Sequence, residues 1–322
     1  MNTLQFEPWP ICSISTLFWK TLAAKKLNEF RKGRIDLTIK GFYIQSPHKT
    51  AQLFFSTESF ETKITSVAEL GSNFRQLEGK LILCDTIEEF KALDRSAEAS
   101  KLAKQNAECQ DISEINHFII FAFADVKKFK FYHQIAFPVH LFAEEQITWS
   151  ELAEDEPKNS LEQPDAFKVD KVGNLVIFID NSAIKNVPGW PLRSILVNLS
   201  QKYSGKDLTV ICKRPNNADF IFEATLPQNP KLSGLTGWER SPTDPKKLAP
   251  IRVTDISALI DPIQLAKQAG ELNLKLMKWR LVPDLDLEII TKTSCLLVGA
   301  GTLGCNILRI LLVIKSRICI NI

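Results

Sequence analysis

The sequence predicts an α/β protein: an α+β N-terminal region of two subdomains, then a Rossmann-like strand–turn–helix close to the C-terminus. Three observations carry this. Short apolar runs at residues 118–123 and 175–179 suit strands buried on both faces. Segments with helical caps and apolar stripes lie between such runs. Near the end, CLLVGAGTLGC (295–305) joins an apolar strand to a glycine turn and a helix. At 322 residues the chain has room for roughly two domains of the usual ~100–200 residues, and 45% apolar content with 20 Phe supplies ample core.

Taken in order, residues 13–30 read as an early helix, with Leu17, Leu22 and Leu27 set among lysines. Residues 53–55 and 80–84 read as strands. Asp85 or Thr86 can accept from the free amides of a helix running to about Ala107. Further on, Lys128, Lys130 and Tyr132 alternate with Phe129, Phe131 and His133, the pattern of a half-buried strand. Basic residues among aromatics also suit a nucleic-acid platform. Strict alternation, however, sends the two kinds to opposite faces, and lysine stems over a solvated face explain it better.

The acidic stretch 150–168 carries Pro157 and Pro164 and little apolar content, so it reads as a linker or surface loop. It divides a first subdomain, 1–149, from a second, 169–290; residues 291–322 open a further unit. Within the second, 175–180, 208–212 and 220–226 are strands. Pro188-Gly-Trp-Pro-Leu-Arg193 turns into a helix, with Pro191 in the first turn where its missing N–H costs nothing. Residues 227–250, rich in Pro, Gly and Ser, read as an irregular connection. Asp261 then caps a helix begun by Pro262 and ended by Pro283. Its Leu265, Ala269, Leu272, Leu276 and Trp279 fall on one face. That stripe predicts docking on a sheet, with on the order of 10 kcal/mol of gross burial.

Composition narrows the function classes. A net charge of +3 is too small to argue for nucleic acid or an acidic membrane surface. Cys12, Cys84, Cys109, Cys212, Cys295, Cys305 and Cys319 show no CxxC or metal-type spacing, and their odd number speaks against a disulfide framework. Buried apolar roles are expected for them. The N-terminus lacks a basic region, and Glu7, Pro8 and Pro10 break its apolar run, so it does not read as a signal peptide. Uncharged stretches fall short of the ~20 residues of a membrane helix. A cytoplasmic protein with no integral membrane segment is expected.

Gly299, Gly301 and Gly304 fit GxGxxG between an apolar strand and an amphipathic helix, the context that raises the motif above chance. The first glycine allows the tight turn, the second lets a phosphate approach the backbone, and the third lets helix pack on strand. A dinucleotide site further needs an acidic residue about 20 positions on. No Asp or Glu follows Glu288. From the motif alone, a dinucleotide site, another nucleotide site and a packing turn all remain open. Cys305 sits at the helix start, where a nucleophile would be activated, although its place on an amphipathic helix favours buried packing. His117, His133 and His140 are too loosely spaced for a metal site and read as core or surface residues.

Several stretches in order resemble the autophagy-specific E1-like activating enzymes: LQFEPW (4–9), FWKTLAAKKLNEF (18–30), FADVKKFKFYHQIAFP (123–138), PGWPLR (188–193), LNLKLMKWRLVPDLDL (272–287) and CLLVGAGTLGCN (295–306). The resemblance runs from residue 4 to about 312. It implies a family-specific N-terminal domain followed by an adenylation domain that binds ATP and magnesium and dimerises. That domain would activate the C-terminal glycine of two ubiquitin-like modifiers, which pass through a cysteine thioester. The N-terminal domain would recruit the E2-like conjugating enzymes that receive them. Work in the cytoplasm, and at the phagophore assembly site, is also implied.

Carried over residue by residue, the resemblance assigns only Gly299, Gly301 and Gly304 of the ATP site, with no catalytic residue and no metal ligand. After Leu312 the family would continue through a Gly-Trp-Gly turn and a strand ending in aspartate. This sequence instead reads VIKSRICINI to Ile322, so a truncated gene model or a short isoform is expected, lacking most of the dimer surface and the modifier-binding parts. A lone strand and helix cut from a parallel sheet should also pack poorly over 294–322. Bound ATP or magnesium is therefore not expected. Two functional readings follow: an E1-like enzyme represented mainly by its E2-recruiting domain, or a non-enzymatic adaptor for E2-like partners. A dinucleotide oxidoreductase, lacking the ribose acid, is the least supported.

Overall fold

The computed structural model describes residues 2–30, 32–44, 51–61, 74–151, 167–169, 175–214, 218–241, 248–284, 286–299, 301–313 and 317–321. In chain order the elements are β1 (Asn2–Thr3), β2 (Ile11–Ile14), α1 (Thr16–Asn28), β3 (Ile35–Ile44), β4 (Gln52–Phe55), β5 (Phe74–Cys84), α2 (Ile87–Ala92), α3 (Arg95–Glu108), β6 (Phe118–Asp125), β7 (Lys130–Phe142) and β8 (Thr148–Glu151). There follow β9 (Phe167–Val169), β10 (Leu175–Ile179), α4 (Leu192–Lys202), β11 (Asp207–Lys213), β12 (Phe220–Thr225), β13 (Leu232–Trp238) and β14 (Arg252–Asp255). The last are α5 (Ser257–Ile260), α6 (Pro262–Leu281), α7 (Leu287–Lys292), β15 (Ser294–Val298), α8 (Thr302–Val313) and β16 (Arg317–Asn321). They form two units, 1–126 with 130–254, and 255–322 with the hairpin tip 127–129.

The first unit holds two mixed sheets. One has the order β1-β8-β12-β11-β10-β9; the other runs β13-β7-β6-β5-β3-β4-β2, with β14 also on β7. Each contains a parallel pair joined directly through helix, β5–β6 through α2 and α3 and β10–β11 through α4; the long sheet also pairs β2 with β4 in parallel. The apolar run of β10 is buried at Val176, Ile177 and Phe178, as a strand covered on both faces requires. In β11 the alternation buries Leu208, Val210 and Cys212. These side chains pack with Ile195, Leu196 and Leu199 of α4. On the other sheet, Ile82, Ile119 and Phe121 pack with Phe90 of α2 and Leu102 of α3. β7 buries Phe131 and His133 while Lys130 and Tyr132 stay half-buried, as the alternation predicts.

Helices α3 and α4 pack on each other, and both on β7. Their contact is sealed by a polar side chain inside the core. Asn198 of α4 is fully buried, and its Nδ2 donates to the carbonyls of Asn106, Ala107 and Cys109 at 2.8, 3.2 and 2.9 Å. One turn later, Lys202 Nζ donates to the Gln110 carbonyl at 2.8 Å. The end of α3 lacks a glycine cap, and α4 supplies partners for its otherwise orphaned carbonyls.

The long sheet closes its own edge. At β2, the Cys12 amide donates to Glu239 Oε1 at 3.4 Å and the Cys12 carbonyl accepts from Arg252 Nη1 at 3.3 Å. Arg252 and Glu239 pair at 2.5 Å. Residues beside β13 and in β14 thus cover the open ladder of β2, which blocks edge-to-edge association.

Several expectations need correction. The helix expected from residue 85 to 107 is two, because Asp94 starts a new one by accepting from the Ala97 amide at 3.0 Å. The irregular connection 227–250 contains β13, which its Gly234 and Gly237 disguise; register against β7 shifts at both places. Strand β3, with Asp36 and Lys40 inside it, gave no clear signal. The stretch 150–168 falls largely outside the described residues, at 152–166. Helix α6 forms as predicted, but its stripe is not buried: Leu272 is 57% and Trp279 72% exposed. Its own unit offers only the pair β15–β16 among the described residues, too little sheet to cover a helix of that length. Among the described residues no helix is long and apolar enough to cross a membrane.

Replacing Asn198 by Ala should take the donor from two buried carbonyls and one part-buried one. A loss of about 2–3 kcal/mol in urea unfolding is expected, against a far smaller change for the exposed Lys104→Ala.

Candidate functional site

Two places draw on the motifs of the sequence. The first is the glycine turn. Apolar residues of β15 lead into Gly299 at φ +91°, a left-handed conformation that a side chain would strain. A Cβ on Gly304 would lie 2.3 Å from the Gly299 carbonyl oxygen, so the helix start could not close on the turn with any larger residue. A Cβ on Gly301 would meet nothing within 4 Å, which leaves the open approach that a phosphate needs. The Cys305 amide donates to Gly301 oxygen at 2.9 Å, and the preceding amides belong to the unpaired first turn of α8. Backbone geometry at all three glycines fits a phosphate cradle.

Strand β15 is not solitary. β16 pairs with it in parallel from Ser294↔Arg317 to Val298↔Asn321, completing a βαβ unit with α8. This corrects the expectation of a single strand, since the short apolar run Ile318-Cys319-Ile320 pairs along the whole of β15. The register sets Asn321 level with the strand end that opens the turn, where a dinucleotide site would use an acid. Cys305 is exposed, contrary to the buried packing expected for it. Cys12, Cys84 and Cys212 are buried as expected, with Cys109 and Cys295 half-buried.

The second place is where three distant motifs meet. Trp9 of LQFEPW stacks on Phe137 at 5.7 Å between centroids with an 8° interplanar angle. Both rings touch Trp190 of PGWPLR, at 6.2 and 5.0 Å. The Arg193 guanidinium lies 4.8 Å over Phe6 and 4.7 Å over Trp9, and burial brings its pKa down to about 10. Beside this clamp, Asp180 at the end of β10 is completely buried. Its Oδ1 accepts from the Ser182 and Gly189 amides, and its Oδ2 from Arg214 Nε and Nη2, all at 3.0 Å. Burial pushes the Asp180 carboxyl up, and Arg214 with the two amides opposes that.

Around them, Tyr43 Oη donates to Glu7 Oε2 at 2.5 Å. Arg75 donates to the Ile179 carbonyl and lies 4.4 Å over the Phe178 ring, and burial holds its pKa near 9. His117 Nδ1 sits 3.1 Å from Ser194 Oγ beside Trp190, and burial holds it neutral with a pKa of about 3. His133 packs on Trp19, also pushed down by burial, to about 4, and His140 meets the Gly234 carbonyl. The histidines therefore serve separate packing roles. In this cluster Asp180, Arg214, Glu7 and Tyr43 bond to one another and to nearby backbone, and these bonds build the fold.

A match to the family described as "Ubiquitin-like modifier-activating enzyme ATG7 N-terminus" covers residues 4–171 and 152–260. The chain belongs to the ATG7 family. ATG7 of Gallus gallus is 31% identical over 97% of this chain and 52% of its own length. The Cryptococcus neoformans ATG7 is 34% identical over 97% and 53%. The chain thus spans about half the length of the curated ATG7 relatives it matches. In fold it is similar to the Kluyveromyces marxianus Atg7NTD, solved alone (TM-score 0.59, 22% identity, 80% of this chain and 100% of that one) and in an Atg7NTD–Atg10 complex (TM-score 0.61, 22% identity, 80% and 98%). The ATG7 family match covers the clamp; the glycine turn lies beyond its last residue.

Gly189 tests the clamp. A Cβ there would lie 2.5 Å from Asp180 Oδ1 and 3.1 Å from Tyr43 Oη. Gly189→Ala should cost about 1–3 kcal/mol, read as a lowered midpoint in thermal unfolding.

Proposed function

We propose that this chain is the E2-recruiting N-terminal part of an E1-like activating enzyme of autophagy, with residues 291–322 as the opening of its adenylation domain. The family match over 4–260, together with a fold shared with the Atg7NTD crystallised with Atg10, is the observation that carries this reading. Recruitment needs a surface held in one shape before the partner arrives, because ordering it on contact would cost affinity. The double-sheet unit, locked by the Asp180–Arg214 pair and the Trp9–Phe137–Trp190 clamp, supplies such a surface. The partner would be an E2-like conjugating enzyme of the cytoplasmic autophagy pathway.

In the second unit, the amides at Gly299 and Gly301 and the first turn of α8 would hold a phosphate of ATP. Bound ATP with magnesium supplies the adenylyl group that activates a modifier's C-terminal carboxylate. Residues 299–304 orient and hold that phosphate, and no more. After Gly304 the cations are Arg309, Lys315, Arg317 and no acid follows, so the chain offers no carboxylate for magnesium there. The first unit's contribution to the pathway is then capture of the E2-like enzyme.

Immobilised chain should retain a purified E2-like autophagy enzyme and release it to excess soluble chain. Absence of any retention would remove the recruiting role. In an ATP–pyrophosphate exchange assay with either modifier, the chain should stay at background. Exchange above background would show that these 322 residues adenylate by themselves.

A further inference from the structure

We propose that Glu7 and Tyr43 form a proton-operated latch that fastens the N-terminal segment, residues 4–10, across the junction of the two sheets. The segment is held by few backbone bonds: the Leu4 amide donates to the Ile147 carbonyl and the Glu7 amide to the Pro188 carbonyl, both at 2.9 Å. The Glu7 side chain is 3% exposed and points to Tyr43 of β3. The same Tyr43 hydroxyl and Asp180 Oδ1 converge over Gly189, so two buried carboxyl groups share one pocket.

Their bonding is unequal. Asp180 accepts four N–H bonds, two of them from the Arg214 guanidinium. Among the described residues, the Glu7 carboxyl accepts one, from a neutral hydroxyl. Two buried carboxyls side by side cannot both carry charge cheaply, and the proton goes to the one whose ion is less well bonded. That one is Glu7. The other charged and titratable groups around it do not change state near neutrality. Arg75, facing Tyr43 and Asp180, titrates near 9; Arg193, over the rings on either side of Glu7, near 10; His117, beside Trp190, near 3. Burial first, then the Asp180 charge, raise the pKa of Glu7 from 4.5 to about 7, while Tyr43 and Arg214 oppose.

The sign follows directly. A carboxyl whose pKa is raised in the docked state takes up a proton on docking, so the docked segment is favoured at low pH. That advantage is lost as pH rises from about 4.5 to about 7, after which ionised Glu7 faces ionised Asp180. The segment carries Phe6 and Trp9, so its release would also open the clamp on Phe137 and Trp190.

Amide hydrogen exchange at Leu4 and Glu7, corrected for intrinsic rates, tests this on the full chain. The opening constant should rise roughly 20-fold between pH 5.5 and pH 8 in the unaltered protein. In Glu7→Gln, which keeps the shape of the protonated acid, it should stay flat. In Tyr43→Phe the midpoint should move up, because the hydroxyl that favours the ion is gone. An equal rise in Glu7→Gln would overturn the latch. Should Glu7→Gln fail to fold, a carbon-13 titration of the Glu7 carboxyl in the unaltered chain decides. A midpoint near 7 supports the latch, and one at the ordinary glutamate value sinks it.

Discussion

A carboxylate kept dry inside the first unit is the constraint on which its architecture depends. Leu175–Ile179 is apolar enough to run through the core, and the chain leaves it through Asp180, with none of that side chain in contact with water. An unpaired ion there would cost several kcal/mol. The surrounding sequence meets that demand point by point. Arg214 comes from the end of the parallel neighbour β11, the amides of Ser182 and Gly189 from the loop that follows β10, and Gly189 has no Cβ because the oxygen stands where one would be. Arg214 also donates to the Ile184 and Val187 carbonyls at 3.0 and 2.7 Å, so the loop between β10 and α4 is wrapped around the pair. The start of α4 is thereby fixed.

From a fixed α4, the rest of the unit follows. Trp190 and Arg193 at its beginning hold the N-terminal segment through Trp9 and Phe6, and Phe137 brings in β7 of the other sheet. Further along, Asn198 holds the end of α3. One helix thus joins both sheets at its start and the second crossover at its middle. The stretches LQFEPW, PGWPLR and IAFP, which carry much of the family resemblance, lie on this joint. Each of them supplies a ring or a backbone group to the joint.

Much of the fold was legible in the sequence where a local rule decides. Apolar runs marked β6, β10 and β11; the Asp261–Pro262 start marked α6; alternation marked the half-buried part of β7. The failures share a cause. β13 is bulged at Gly234 and Gly237, and β3 carries Asp36 and Lys40, so neither shows the clean pattern of a flat strand. The edge cover on β2 comes from residues more than 200 positions away, beyond the reach of any local rule. Of the candidate site, the turn was readable because GxGxxG states its own geometry. The clamp was not, since a lone Glu, Gly or Trp says nothing until the chain brings it to its partner. The exposed α6 stripe marks the other limit: periodicity reports which face wants cover, and does not report what supplies it.

The two glycine sites separate identity from chemistry. Gly189 is fixed by an ion pair inside the core, and serves only the fold. Gly299, Gly301 and Gly304 instead shape a turn, with Gly299 in the left-handed region and Gly304 pressed against its carbonyl oxygen; a helix start of this kind carries about half a unit of positive charge. Adenylyl transfer must hold a triphosphate bearing several negative charges and stabilise more at the reacting phosphorus, which calls for metal and cationic side chains in place beforehand. A cradle alone meets a small part of that demand. The first unit differs: its buried bonds hold two sheets together. The buried ion pair and the ring clamp both lie in the first unit, before residue 255, and the glycine turn lies in the second.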